Sequence, residues 1–160
     1  MRILAIETSC DDTGVAILEI SGDKKSPRFN VLSNIVSSQI EIHKKYGGVY
    51  PMLAKREHQK NLLSISTKAL KDADMLKSQI LMPNTQLNSK FQMIKNILGR
   101  EPELLKKLMP FLKKYQKPSI DLIAVTNGPG LEPCLWTGIN FAKALSYFWN
   151  IPIVPVNHIE

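Results

Sequence analysis

The sequence predicts an α/β layer fold. Two observations carry this: three successive aliphatic segments joined by short polar turns read as an antiparallel meander, and a later strand, glycine turn, helix and strand read as a β-α-β unit. The second pattern requires a parallel strand pair and a right-handed crossover. Residues 2–7 are aliphatic and read as a buried strand, the polar turn Thr8 to Thr13 follows, and Gly14 to Leu18 return as a second strand. Residues 24–28, with Gly22 and Pro27 nearby, form the next turn, and residues 29–39, rich in Val, Ile and Ser, form the third strand. Gly47, Gly48 and Pro51 then break the chain before a long helix in which Leu53, His58, Leu62, Ile65 and Leu70 recur near helical spacing. Residues 122–126 are a buried strand, 127–130 a tight turn, 135–149 an amphipathic helix and 151–156 the next strand.

Between these halves, residues 74–118 differ in character and read as a helical insertion. Two helices are expected there, 89–98 and 101–115, the second with Pro102 in its favoured first turn, and residues 81–88 are expected to connect. A stretch of this length buries no core of its own, so the whole chain is expected to be one domain, 1–160.

Charge is concentrated in the same stretch. Residues 68–117 hold 11 basic and 4 acidic side chains, which accounts for the net +7; the other 10 basic and 10 acidic residues cancel. Such a segment is either a solvated lysine-rich face or a surface drawn to phosphate backbones. The apolar runs are strand-length, which excludes a membrane-spanning helix, and the N-terminus lacks the pattern of an export signal. Cys10 and Cys134 form no metal-spaced pair, which fits a reducing, cytoplasmic setting.

Three places could carry chemistry. The turn Glu7-Thr8-Ser9-Cys10-Asp11-Asp12-Thr13 crowds hydroxyls and carboxylates between two buried strands. Its N–H and hydroxyl donors suit a phosphate, and its carboxylates suit a metal or a nucleophile, although Asp and Ser also favour turns for their own backbone bonds. Thr126-Asn127-Gly128-Pro129-Gly130-Leu131 lies between strand and helix, where backbone approaches a ligand closely and a helix N-terminus favours anions. It has neither the P-loop nor the dinucleotide-fold spacing. His158 stands at the C-terminal end of a strand, where open α/β sheets bind ligands, but one His makes no metal site. His43 and His58 read as surface or helix-capping residues. Cys10 reads as a small packing residue, with no His near it in sequence to activate it.

Taken in order, four segments resemble the TsaD family, also called Gcp or YgjD: Ile6 to Thr13; His43 to Pro51 with Ala54 to His58; Asp121 to Leu131 with Ala142 to Leu145; and Ile151 to Glu160. The resemblance implies an actin-like ATPase fold (ribonuclease H-like, of the ASKHA class) with two lobes around a nucleotide cleft, of which this chain is the N-terminal one. About half of the family's protein, the C-terminal lobe, is then missing. The implied activity is tRNA threonylcarbamoyladenosine (t6A) biosynthesis: the N6 amine of adenosine 37, in tRNAs reading codons that begin with A, attacks threonylcarbamoyl-AMP and expels AMP. Asp11 and Asp12 are then the catalytic pair, Thr8, Ser9, Gly128 and Gly130 hold the nucleotide or intermediate, and His158 is one ligand of a divalent metal, iron or zinc. The implied second His and an Asp ligand fall past Glu160. The implied partners are tRNA, a TsaB-like paralogue and a TsaE-like ATPase, and the isolated chain is expected to be inactive. The alternative is a non-catalytic split half or TsaB-like scaffold. Three departures stand out: Met52 where the family has Glu, Pro133-Cys134 in place of a small pair, and the length of the basic insertion.

Overall fold

The computed structural model describes residues 1–23, 25–78 and 84–159, with the side chains of 84–87 outside that description. It contains one five-stranded sheet with the order β3-β2-β1-β4-β5. β1 (Arg2–Glu7), β2 (Thr13–Asp23) and β3 (Ser26–Ser37) form the antiparallel meander, and β4 (Leu122–Gly128) and β5 (Ile153–Asn157) add to β1 in parallel. This order, with β2 alone reversed, joins the expected three-strand meander to the expected β-α-β unit in one sheet, so the expected α/β fold class holds. The meander strands run longer than their hydrophobic cores, because the distal half of the β2–β3 hairpin is solvent-facing. Lys24, in the expected second turn, lies outside the described residues.

Alternation decides which face is buried. Leu4, Ile6, Val15, Ile17, Ile123 and Val125 are at most 3% exposed and point to one side, as the two-residue period of a strand requires. Two long helices cover that side. α1 (Ile40–His43) is a single turn; α2 (Pro51–Asp72) starts on a proline whose missing N–H needs no partner at that position. α2 places Ala54, His58, Leu62, Ile65 and Ala69 on one buried stripe. The crossover helix between β4 and β5 begins at Glu132, before the expected residue 135, and is named below.

The middle segment holds α3 (Asn84–Ile97) and α4 (Pro102–Lys114). α3 thus takes in much of the expected connector, whose residues 81–83 lie outside the description. Phe91, Ile94 and Leu98 of the α3 end, and Leu104, Leu108, Phe111 and Leu112 of α4, repeat every three or four residues and are at most 7% exposed. They join the same hydrophobic cluster as the sheet residues, against α2 and α5 (Glu132–Trp149), the crossover helix. Each such buried side chain contributes about 1.5–3 kcal/mol relative to an exposed one.

The segment's lysines also serve the fold. α5 has no basic residue in its last turn, and Lys90 Nζ reaches the Phe148 carbonyl at 3.0 Å while Lys117 Nζ lies 3.5 Å from that of Asn150. A cation at the negative end of a helix is stabilising.

Among the described residues no helix covers the other face of the sheet. There Ala16, Ala5 and Ala124 stand side by side in register across β2, β1 and β4. With Leu18, Val36 and Val156 they line a trough of about 440 Å³ that ends at Glu7 and Thr126.

Candidate active site

Three segments remote in sequence meet where β1, β4 and β5 end. The Leu131 N–H donates to the Ser9 carbonyl at 2.7 Å, tying the β4–α5 connection to the hairpin tip, and the His158 N–H donates to the Gly128 carbonyl at 3.1 Å. A register shift between Thr126 and Gly128 lets β4 turn away from β5 just there.

Glu7 is the hub of the site. Its carboxylate accepts the Ser9 N–H and the Thr126 hydroxyl in short bonds, and His158 Nδ1 lies 3.2 Å from its Oε2. Burial pushes this carboxyl up, but the bonds from Ser9, Thr126 and His158 together outweigh burial and hold it below its ordinary 4.5. A carboxylate only accepts, so Nδ1 of His158 carries the proton and a neutral ring leaves its Nε2 lone pair free. That is how a metal-binding histidine is usually oriented. No group of three His, Cys, Asp or Glu among the described residues could hold a metal by itself. His158 therefore fits as one ligand and no more.

The tip is pressed against α5 on both sides. Thr8, 1% exposed, donates its hydroxyl to the Cys134 carbonyl at 2.9 Å. A Cβ at Gly130 would come within 2.5 Å of the Ser9 carbonyl oxygen, and one at Gly138 within 2.3 Å of Thr8 Oγ1. Both positions therefore need glycine for close approach. Gly128 has nothing within 4 Å of such a carbon, so its hydrogen is not a steric necessity. Ser9 is 8% exposed, Asp11 is half-buried and Asp12 is open to solvent. The two carboxylates stand at the outer end of the turn, close enough for their charge to act on His58.

The α5 N-terminus is less free to bind an anion than the sequence pattern suggests. Leu131 spends its N–H on Ser9, Pro133 has none, and Glu132 puts a negative charge in the first turn. Cys134 is fully buried with its thiol 3.7 Å from the Pro51 carbonyl, and burial, then Cys10, push its pKa up to about 11. Burial, then Asp11, also raise the Cys10 thiol, which leaves it a poor nucleophile at neutral pH.

Two histidines contradict expectation. His43 and His58 are 3% and 0% exposed rather than at the surface, because each ring finds polar partners inside. Sequence reasoning placed Glu7 and Thr126 within its candidate segments but gave neither a role, and it passed over Gly138. A carboxylate closing an aliphatic strand was the available signal for Glu7, and a glycine within an apolar helix was the one for Gly138.

Comparison with known proteins gives consistent matches. The sequence model of the family described as TsaD, tRNA N6-adenosine threonylcarbamoyltransferase, matches residues 30–81 and 101–160. Proteins of that same description from Fusobacterium nucleatum, Persephonella marina and Thermodesulfovibrio yellowstonii are 38%, 38% and 39% identical over all of this chain. The chain spans about a third of their length (33%, 33% and 34%), less than the half expected. Among solved structures, YeaZ from Pseudomonas aeruginosa aligns over 98% of this chain and 43% of its own, at 15% identity and a TM-score of 0.47. A Thermus thermophilus RuvC structure aligns over 98% and 64%, at 9% identity and a TM-score of 0.44.

Proposed function

We propose that this chain, which belongs to the TsaD family of tRNA N6-adenosine threonylcarbamoyltransferases, forms one wall of the site that transfers threonylcarbamoyl to N6 of adenosine 37 in t6A biosynthesis. The carrying observation is the meeting of the hairpin tip, the 128–130 turn and His158 around Glu7, three segments joined by hydrogen bonds across up to 151 residues of sequence. Ser9 and the turn at Gly128 and Gly130 face the intermediate, threonylcarbamoyl-AMP, while Thr8 holds the tip in place. In the reaction the adenosine amine forms a C–N bond to the carbamoyl carbon, the bond from that carbon to the phosphate oxygen breaks, AMP leaves, and the amine proton passes to Asp11 or Asp12. His158 Nε2, together with ligands from outside the described residues, would hold a divalent iron or zinc ion, which would supply Lewis-acid polarisation of the carbamoyl carbonyl. Glu7 keeps His158 in the ligating tautomer.

In this reading the chain is the N-terminal lobe with a helical insertion, tRNA and a TsaB-like paralogue and TsaE-like ATPase are its partners, and its setting is cytoplasmic. A second reading, a non-catalytic split half or TsaB-like scaffold, is favoured by the finding that no three His, Cys, Asp or Glu among the described residues are grouped to hold a metal. One experiment separates them. The chain is supplied with tRNA, threonylcarbamoyl-AMP and both partners, t6A is quantified by mass spectrometry, and binding of threonylcarbamoyl-AMP is followed by calorimetry. The expected result is binding that Gly130→Ala abolishes, without t6A. Robust t6A formation overturns the need for further metal ligands, and absence of binding overturns the assignment of this wall in favour of the scaffold.

A further inference from the structure

A chain of buried polar groups runs beneath the hairpin tip, and backbone groups of fixed role determine its direction. The Tyr50 N–H, which can only donate, lies 3.3 Å from His43 Nδ1, so that nitrogen accepts and His43 Nε2 carries the proton. Nε2 lies 3.0 Å from Gln39 Oε1. The Ala54 carbonyl, which can only accept, lies 3.4 Å from Gln39 Nε2 and fixes that amide independently in the same orientation. Gln39 Nε2 also lies 3.5 Å from His58 Nδ1, and Thr13 Oγ1 lies 2.8 Å from the same nitrogen. At the far end His58 Nε2 lies 3.0 Å from the Cys10 carbonyl, another acceptor, so the proton of His58 is on Nε2.

Every role is satisfied with both imidazoles neutral. A second proton on His58, at Nδ1, would have only the Thr13 hydroxyl to accept it and would face the Gln39 amide donor, and the side chain is fully buried. Burial also lowers its pKa below the ordinary 6.5, against the Cys10 carbonyl and the charges of Glu7, Asp11 and Asp12, which act in the other direction. Gln39, His43, His58 and Thr13 are all at most 3% exposed, so the chain is shielded from competing water.

We infer that His58 is a positioning residue: held in its Nε2–H form by Thr13, Gln39 and His43, it clamps the Cys10–Asp11 peptide plane and so sets the direction in which Asp11 and Asp12 are presented. The plane it grips contains the Asp11 N–H, so rotation there swings the first carboxylate of the pair. The relay also begins at the N-terminus of α2, beside the exposed rings of Tyr46 and Tyr50, which ties the tip to a surface 40 residues away in sequence. Its importance for t6A chemistry rests on the reading above, whereas the clamp itself is tested without reference to any reaction.

The test is nuclear magnetic resonance of the isotope-labelled chain. In the wild type, long-range imidazole correlations are expected to show His58 with Nε2 protonated and Nδ1 bare at pH 7. In His58→Leu, the amide signals of Cys10, Asp11 and Asp12 are expected to shift or broaden while those of β4 and α5 stay in place. His58→Gln, whose amide can present an N–H near the Nε2 position, is expected to return them toward wild type. A structural loss alone would not be rescued at those three amides. A wild-type Nδ1–H tautomer or a charged ring overturns the proposal, as does a folded His58→Leu with an unchanged tip. Should His58→Leu fail to fold, the wild-type tautomer and the His58→Gln spectrum decide alone.

Discussion

Gly138→Ala sets two effects of opposite sign against each other within one helix. Gly138 lies in the middle of α5, where alanine is intrinsically better than glycine by about 1 kcal/mol. Propensity alone therefore predicts a stabilised protein. The new methyl carbon, however, would sit 2.3 Å from Thr8 Oγ1 and 3.4 Å from Thr8 Cβ and Cγ2. The oxygen must retreat beyond 3.0 Å, and it is the atom that donates to the Cys134 carbonyl at 2.9 Å. Overpacking of a filled interior costs about 1–3 kcal/mol, and an orphaned buried hydroxyl or carbonyl about 1–3 kcal/mol more. The net expectation is a loss of about 1–5 kcal/mol, read as a lower urea midpoint at unchanged slope. Gly128→Ala, with open space around its added carbon, serves as the reference and is expected within about 0.5 kcal/mol of wild type. A Gly138→Ala protein more stable than wild type would refute the claim that the hairpin tip is wedged against α5.

Acidification should reveal two groups in turn. His58 is below 6.5 in the fold, so the unfolded chain binds a proton the folded one refuses. That contribution is intact above about 6.5, is lost as pH falls toward the lowered value, and is absent from His58→Gln in urea titrations at pH 7 and 5.5. Glu7 is below 4.5, so its contribution holds above that value and disappears as pH falls through the folded value; Glu7→Gln should flatten this second decline. Glu101, 1% exposed between Lys55 at 3.7 Å and Asn140 at 3.2 Å, is raised above 4.5 by burial despite both partners. Glu101→Gln is therefore expected to keep or raise the Tm at pH 7, and Glu101→Ala to lose about 1–3 kcal/mol by stranding its partners. Cys134, at about 11, should resist iodoacetamide at pH 8 until urea unfolds the chain; rapid labelling of the native protein would contradict its burial.

The sheet was legible because both of its signals are local. A two-residue alternation and a glycine turn between strand and helix need no knowledge of distant partners, and the extent of β2 and β3 was missed only where the hairpin leaves the core. Around the site, order along the chain exposed the tip, the turn and His158. The atoms that join them were hidden, because Glu7 and Thr126 pair across 119 residues and no spacing rule reports that. His58 looked like one more residue of a helix stripe. Its burial depends on Gln39, Thr13 and the Cys10 carbonyl, and the sequence does not show which polar groups will be brought indoors together. The charge of the middle segment was legible as a sum, while the use of Lys90 on the α5 carbonyls appears only once the helices are packed.

Residues 82–100 lie between the two stretches that match the family's sequence model, yet Lys90 closes a helix that belongs to the matched part. Phe91 stacks on Phe148 there at 5.7 Å between ring centres. The end of α5 therefore leans on residues outside the matched stretches. Without the 82–100 segment the Phe148 carbonyl would lose its lysine and the Phe148 ring its stacking partner, and other side chains would have to close that end.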